Sequence, residues 1–220
     1  MGASSSAPRP DIVTAILAGG EARRLRGAVK ATLTVAGHPL LTRVLVALTP
    51  QSNVTVLCVA SRNVAAAWVK ASALPVAVDA VENCGPLAGI SAALSWTRAT
   101  MPHVRAVVTV PVDVPFVPPD LVARLAADAP ENGIAVAESG DRRHHAIAYW
   151  PLSLTDELQA TVTTGDAGAV HLWQARHPLV AVRWSTEPYD PFFNINTDDD
   201  LSAAATIAVI VDGISTRQSS

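Results

Sequence analysis

Short valine-rich apolar runs that alternate with helically spaced segments leave this chain few folds to choose from. Residues 12–18, 54–60, 75–78, 106–110 and 134–137 are such runs, each bounded by turn-forming residues. Runs of this length and make-up read as strands buried inside a sheet. Between them, residues 39–48 place Leu40, Leu41, Val44, Leu45 and Leu48 on one helical face, and 63–71, 86–98 and 118–128 have similar spacing. Pro86, and Pro118 or Pro119, stand where a first helical turn tolerates proline. The alternation predicts a three-layer α/β sandwich around a mostly parallel central sheet.

The second half is less regular. Residues 144–150 alternate enough for a strand, one that fits an antiparallel direction, and Leu179–Trp184 is another. Residues 155–161 and 167–175 suit short helices. Residues 198–205 suit a short helix whose opening acidic residues match its positive end. The stretch 207–211 fits either a continued helix or an edge strand. No repeat or linker divides the chain, so we expect one domain over 11–205, a loose Ser/Ala/Pro-rich tail over 1–10 and an extension over 206–220.

Composition narrows the function classes. A net charge of −3 offers no general basic surface for nucleic acid. There is no long apolar span and no apolar signal core near the N-terminus, so a cytoplasmic setting with no membrane partner is expected. Cys58 and Cys84 have no Cys-x-x-Cys spacing, which indicates neither a disulfide framework nor a zinc site. Cys58 reads as a small core residue. The five tryptophans read as core or rim packing, and His144 and His145 as strand residues on opposite faces.

Chemistry-bearing residues fall where the expected strands end, which is where open parallel sheets bind ligands. After the first strand come Gly19 and Gly20, then Arg23, Arg24, Arg26 and Lys30, four of the sixteen Lys and Arg in the chain. Glycines let backbone N–H groups approach an anion, and clustered cations neutralise it. The loop suits a polyphosphate. It is neither a Walker A motif nor a Gly-x-Gly-x-x-Gly fingerprint, which sets P-loop phosphotransfer and NAD-linked redox chemistry aside. The third strand ends at Asp79 and leads to Gly85 and Gly89. The fourth ends in Pro111-Val112-Asp113-Val114-Pro115, where prolines stiffen the turn around a carboxylate able to bind magnesium.

The stretches Leu17-Ala18-Gly19-Gly20-Glu21-Ala22-Arg23-Arg24-Leu25 with Lys30, Gly37-His38-Pro39-Leu40-Leu41, Gly85-Pro86-Leu87-Ala88-Gly89, Val110-Pro111-Val112-Asp113-Val114-Pro115-Phe116 and Phe193-Asn194-Ile195-Asn196-Thr197 with Asp200-Leu201 occur in one order. Together they resemble the molybdenum cofactor guanylyltransferase family, nucleotidyltransferases with a three-layer Rossmann-like fold. The resemblance implies transfer of GMP from GTP to the phosphate of molybdopterin bearing molybdenum, with Mg²⁺ as cofactor and pyrophosphate released. It implies Lys30 and Asp113 as catalytic residues, Asp113 also holding the metal. Leu17, Ala18, Gly19, Gly20, Arg23, Lys30, Ser61, Asp79, Gly85 and Asp113 would bind nucleotide, and Asn194 and Asn196 the pterin. Molybdoenzymes or cofactor-synthesis proteins would be transient partners. Two readings share this fold: CMP transfer from CTP, and a weak paralogue that only binds nucleotide or cofactor. Two departures mark the chain: Val29 precedes the loop lysine where the family usually has aspartate, and Asp166 lies in a 164–169 stretch that lacks the usual cation.

Overall fold

The computed structural model of the protein describes residues 8–19, 29–79, 85–165 and 168–218. Its strands are β1 (Ile12–Leu17), β2 (Thr34–Val35), β3 (His38–Pro39), β4 (Thr55–Ala60), β5 (Val76–Asp79), β6 (Ala106–Pro111), β7 (Ile134–Ser139), β8 (Arg142–Pro151) and β9 (Leu179–Trp184). Its α-helices are α1 (Leu40–Leu48), α2 (Ala67–Ala71), α3 (Gly85–Thr100), α4 (Leu121–Asp128), α5 (Thr155–Thr164), α6 (Val170–Gln174) and α7 (Asp198–Gln218).

Seven strands form one sheet in the order β5-β4-β1-β6-β8-β7-β9. All neighbours run parallel except β8, which is antiparallel to both β6 and β7. Every residue of β1, β4 and β7 is buried, as continuous apolar runs require when both faces are covered. On one face Ile12, Ile16, Leu57, Val108 and Val110 pack with Val44 and Leu48 of α1 and Leu121 and Leu125 of α4. On the other, Val13, Ala15, Val56, Val107 and Trp150 pack with Leu87, Ile90 and Leu94 of α3, Leu158 of α5 and Trp173 of α6. The expected three-layer α/β sandwich is the observed architecture.

Polar side chains fasten these layers at a few buried points. Gln51 donates to the carbonyls of Ala47 (2.8 Å) and Pro118 (2.9 Å) and accepts from the Val122 amide (2.9 Å), stitching the end of α1 to the start of α4. Trp150 Nε1 donates to Thr109 Oγ1 at 2.8 Å, and that hydroxyl donates to the Ala146 carbonyl at 2.8 Å. His144 is buried with Nε2 2.8 Å from Ser139 Oγ and its ring 5.0 Å from that of Phe192. Burial pushes its imidazole down to about 4. His145 turns instead towards α6, where Nδ1 lies 2.6 Å from Gln174 Oε1, so the pair does point to opposite faces.

A third, smaller cluster caps the sheet's end. The β2–β3 ribbon turns through Ala36 and Gly37, both at positive φ (49° and 80°), the geometry of a tight two-residue hairpin. Val35 and Leu40 meet Phe116, Ile195, Ala204 and Ala208 there.

Three sequence expectations need correction. The helix expected over 198–205 runs on to Gln218, so 207–211 takes the continued-helix alternative, because Leu201, Ala204, Ile207, Ala208 and Val211 extend one apolar stripe against this third cluster. Pro118 and Pro119 precede α4 rather than open it; the residue before a proline resists the α region, and the helix waits until Leu121. The helical spacing over 63–71 resolves into a 3₁₀ turn at Ser61–Asn63 and the five-residue α2.

Candidate active site

The strand order reverses direction at β1. From β1 the chain steps outward to β4 and β5, then returns to β6 on the other side. Crevices open at such points, beyond the carboxyl ends of the strands. Here the backbone leaving β1 stays joined to both neighbours: the Val112 amide, just past β6, donates to the Leu17 carbonyl at 3.1 Å, and the Ala18 amide donates to the Cys58 carbonyl of β4 at 2.8 Å. The cleft between them has a volume of about 220 Å³ and includes Ala18, Gly19, Lys30, Pro86, Asp113 and Ala146 in its lining. Leu17 and Val29 also border it.

Gly19 is held at close range. A Cβ built there would lie 2.7 Å from Asp79 Oδ2 and 3.2 Å from the Ala60 amide nitrogen. The lack of a side chain therefore lets the turn after β1 lie directly on the buried Asp79 carboxylate at the end of β5. Gly89 of α3 approaches the same carboxylate from behind, its built Cβ 3.7 Å from Asp79 Oδ1 and 3.3 Å from Leu17 Cδ2. Ser61 follows Ala60 directly and opens the 3₁₀ turn on the same rim. Gly85 starts α3 at φ +59°, and Pro86 beside it faces the cleft. The first turn of α3, with its positive dipole end, thus borders the same space.

Across the cleft, Lys30 Nζ donates to Asp113 Oδ2 at 2.7 Å and to Asn196 Oδ1 at 2.6 Å. Only 12 % of the lysine side chain and 20 % of the aspartate side chain are exposed, so the pair is screened less than a surface one. The Ile195 amide donates to the Asp113 carbonyl at 3.0 Å, which docks the 193–197 loop on the turn after β6. Three distant stretches of sequence thereby meet at one ammonium group. Asp113 suits a divalent cation as well: its carboxylate is a hard oxygen donor at the cleft wall, and its Oδ2 already faces a positive charge.

Of the residues singled out from sequence, Leu17, Ala18, Gly19, Lys30 and Asp113 line one cleft, Asp79 lies beneath Gly19, and Asn196 joins Lys30. Asn194, half-buried two residues earlier, makes no hydrogen bond to that cluster among the described residues. Gly20, Arg23, Arg24, Arg26, Cys84 and Asp166 lie outside the described residues. Val29 is half-buried against the α1/α4 core and contributes an apolar wall to the cleft. Ala146 went unnoticed in the sequence. It reaches the cleft because the pairing of β7 with β8 slips between Val136 and Ala137, where residues 145–147 bulge, and no residue pattern announces that slip.

Comparison with known proteins agrees with this architecture. The family model described as the MobA-like NTP transferase domain matches residues 14–181. A molybdenum cofactor guanylyltransferase of Rhodopseudomonas palustris (strain BisB5) is 39% identical over 206 residues, covering 92% of this chain and 97% of that one. One from Bradyrhizobium sp. (strain ORS 278) is 39% identical over 200 residues, covering 90% and 93%. The crystal structure of molybdopterin-guanine dinucleotide biosynthesis protein A from Archaeoglobus fulgidus has a TM-score of 0.69 and 26% identity, covering 90% of this chain and 98% of that one. With a family model matched over most of its length and relatives 39% identical along nearly all of it, this chain belongs to the molybdenum cofactor guanylyltransferase family, within the MobA-like NTP transferases, and is a nucleotidyltransferase.

Proposed function

We propose that the protein transfers GMP from GTP to the terminal phosphate of molybdopterin bearing molybdenum. An oxygen of the acceptor phosphate attacks the α-phosphorus of GTP, a new P–O bond forms, and the bond to the β-phosphate bridging oxygen breaks to release pyrophosphate. No covalent enzyme intermediate is needed. The observation that carries the reading is the Lys30–Asp113 pair, 2.7 Å apart in the cleft that also holds the Gly19 turn.

In this reading the backbone at Leu17, Ala18 and Gly19 cradles the nucleotide, with Gly20 and Arg23 continuing the loop. Asp79 fixes the close approach of that turn, and Ser61 and Gly85 border the pocket. Lys30 releases Asp113 and turns to the phosphates as a point charge, stabilising the charge that gathers on the leaving pyrophosphate. Asp113 would hold Mg²⁺, which when bound supplies charge neutralisation at the phosphates. Asn194 and Asn196 lie at the pterin end.

Three features support the reading: the crevice at the strand-order reversal, the relatives named for guanylyl transfer, and the meeting of Asp113 and Asn196 at the Lys30 ammonium. The test is to incubate purified protein with Mg²⁺, molybdenum-loaded cofactor and GTP, CTP or ATP in turn, and to weigh the products. Dinucleotide with GTP alone is the expected result. Product with CTP alone overturns the base assignment, and binding without product from any nucleotide overturns the reaction.

A further inference from the structure

Asp198, Asp199 and Asp200 open α7 as three consecutive acids, yet one of them is tied into the cleft by the bonds around it. Asp200 Oδ2 accepts from the backbone amides of both Asn196 and Thr197, each at 2.8 Å. In return the Asp200 amide donates to Thr197 Oγ1 at 3.1 Å. This is a reciprocal cap in which each side chain satisfies a backbone donor of the other's segment. The first of those amides belongs to the residue whose Oδ1 accepts from Lys30 Nζ at 2.6 Å. A continuous chain of hydrogen bonds thus runs from α7 through Asn196 to Lys30 and on to Asp113. The Asn196 amide, ahead of the Thr197 groups and the Lys30 charge, holds the Asp200 carboxyl below the usual carboxylate range.

We propose that Asp200 is a positioning residue: by gripping the Asn196 amide it sets the Asn196 carbonyl oxygen that parks the Lys30 ammonium beside Asp113. Thr197 serves the helix end, whereas Asp200 serves both the helix end and the cleft. The two residues therefore separate a capping role from a positioning one. Removing the Thr197 hydroxyl costs the Asp200 amide its partner but leaves the Asn196 amide bonded. Removing the Asp200 carboxylate releases the Asn196 amide and loosens one of the two acceptors of Lys30. Asp200→Asn keeps an oxygen acceptor in place and preserves the clasp.

The chain allows a readout that does not depend on turnover, because Lys30 and Lys70 are its only lysines and Lys70 is exposed. Brief acetic anhydride labelling followed by peptide mass analysis gives the ratio of Lys30 to Lys70 modification. Asp200→Ala should raise that ratio about fivefold, the scale of one ordinary hydrogen bond, since it loosens one acceptor of Lys30 without removing it, while Thr197→Ala and Asp200→Asn stay within about twofold of the parent. Asp200→Ala frees two backbone amides and Thr197→Ala one, so both should lower the melting temperature, the first by more. An unchanged ratio in Asp200→Ala, or an equal rise in Thr197→Ala, overturns the proposal. The catalytic arm rests on the proposed guanylyl transfer: kcat should fall about tenfold in Asp200→Ala with KM for the nucleotide little changed, and recover in Asp200→Asn. If the parent protein forms no dinucleotide the transfer reading fails, and the labelling ratio still decides the clasp.

Discussion

Gly19→Ala is the substitution whose cost the structure sets most directly. Gly19 does not sit at a positive φ, so an alanine meets no backbone strain there. Its Cβ would instead lie 2.7 Å from Asp79 Oδ2, inside ordinary carbon–oxygen contact, and 3.2 Å from the Ala60 nitrogen. Asp79 is only 7% exposed, and α3 closes the space behind it at Gly89, so its carboxylate has little room to retreat. Overpacking of this kind costs about 1–3 kcal/mol. Urea unfolding of the parent, Gly19→Ala, Asp79→Ala and the double variant measures it. In the Asp79→Ala background the same alanine should cost about 1 kcal/mol less, because only the Ala60 contact remains. Nucleotide affinity, followed by fluorescence, should fall about tenfold in Gly19→Ala as the turn lifts from the rim. A stability loss under about 0.5 kcal/mol, or an identical loss with and without the Asp79 carboxylate, would refute the reasoning.

Three further outcomes are expected. Asp113→Asn should lower metal-dependent turnover by on the order of 10²-fold while the melting curve stays cooperative; unchanged turnover would remove Asp113 from the chemistry. Gln51→Leu should cost about 2–4 kcal/mol in urea, since it strands the Val122 amide and the Pro118 carbonyl in the interior, and a loss under about 1 kcal/mol would contradict that. His144 should make the fold acid-sensitive. Its imidazole stays neutral in the folded protein down to about 4, whereas the unfolded chain takes up that proton near 6.5. Its stabilisation is therefore complete above about pH 6.5 and is lost as the pH falls from there to about 4. The ceiling is about 3 kcal/mol, reduced by solvent screening to about 1–2 kcal/mol, and His144→Gln should flatten the pH profile by that amount. Equal slopes in parent and variant would sink the assignment.

Strands and site residues were legible in this chain to different degrees. β1, β4, β6 and β7 could be read to within two residues because strands covered on both faces carry long apolar runs, and the edge strand β5, with Val78 exposed, from its short valine-rich run alone. The direction of the sheet alone then puts Gly19, Asp79 and Asp113 at one rim. The length of α7 is only half legible, with 207–211 open between helix and strand, because its stripe is built from alanines and isolated aliphatics, which carry a weaker periodic signal than the leucines of α1. The contacts of Lys30 were not legible at all. They depend on residues 83 and 166 positions away, and no local rule relates those stretches. The bulge that delivers Ala146 belongs to the same class of tertiary detail.

One reversed strand has an architectural payoff. Because β8 alone runs backwards, β7 and β9 end at the same edge as β1 and β6, and the Ser139–Arg142 connection emerges there too. At the usual spacing of about 4.8 Å, seven strands give an uninterrupted ledge about 29 Å wide. Such a ledge can seat a donor and an acceptor end to end on a single platform, with no second domain to swing across and bring them together.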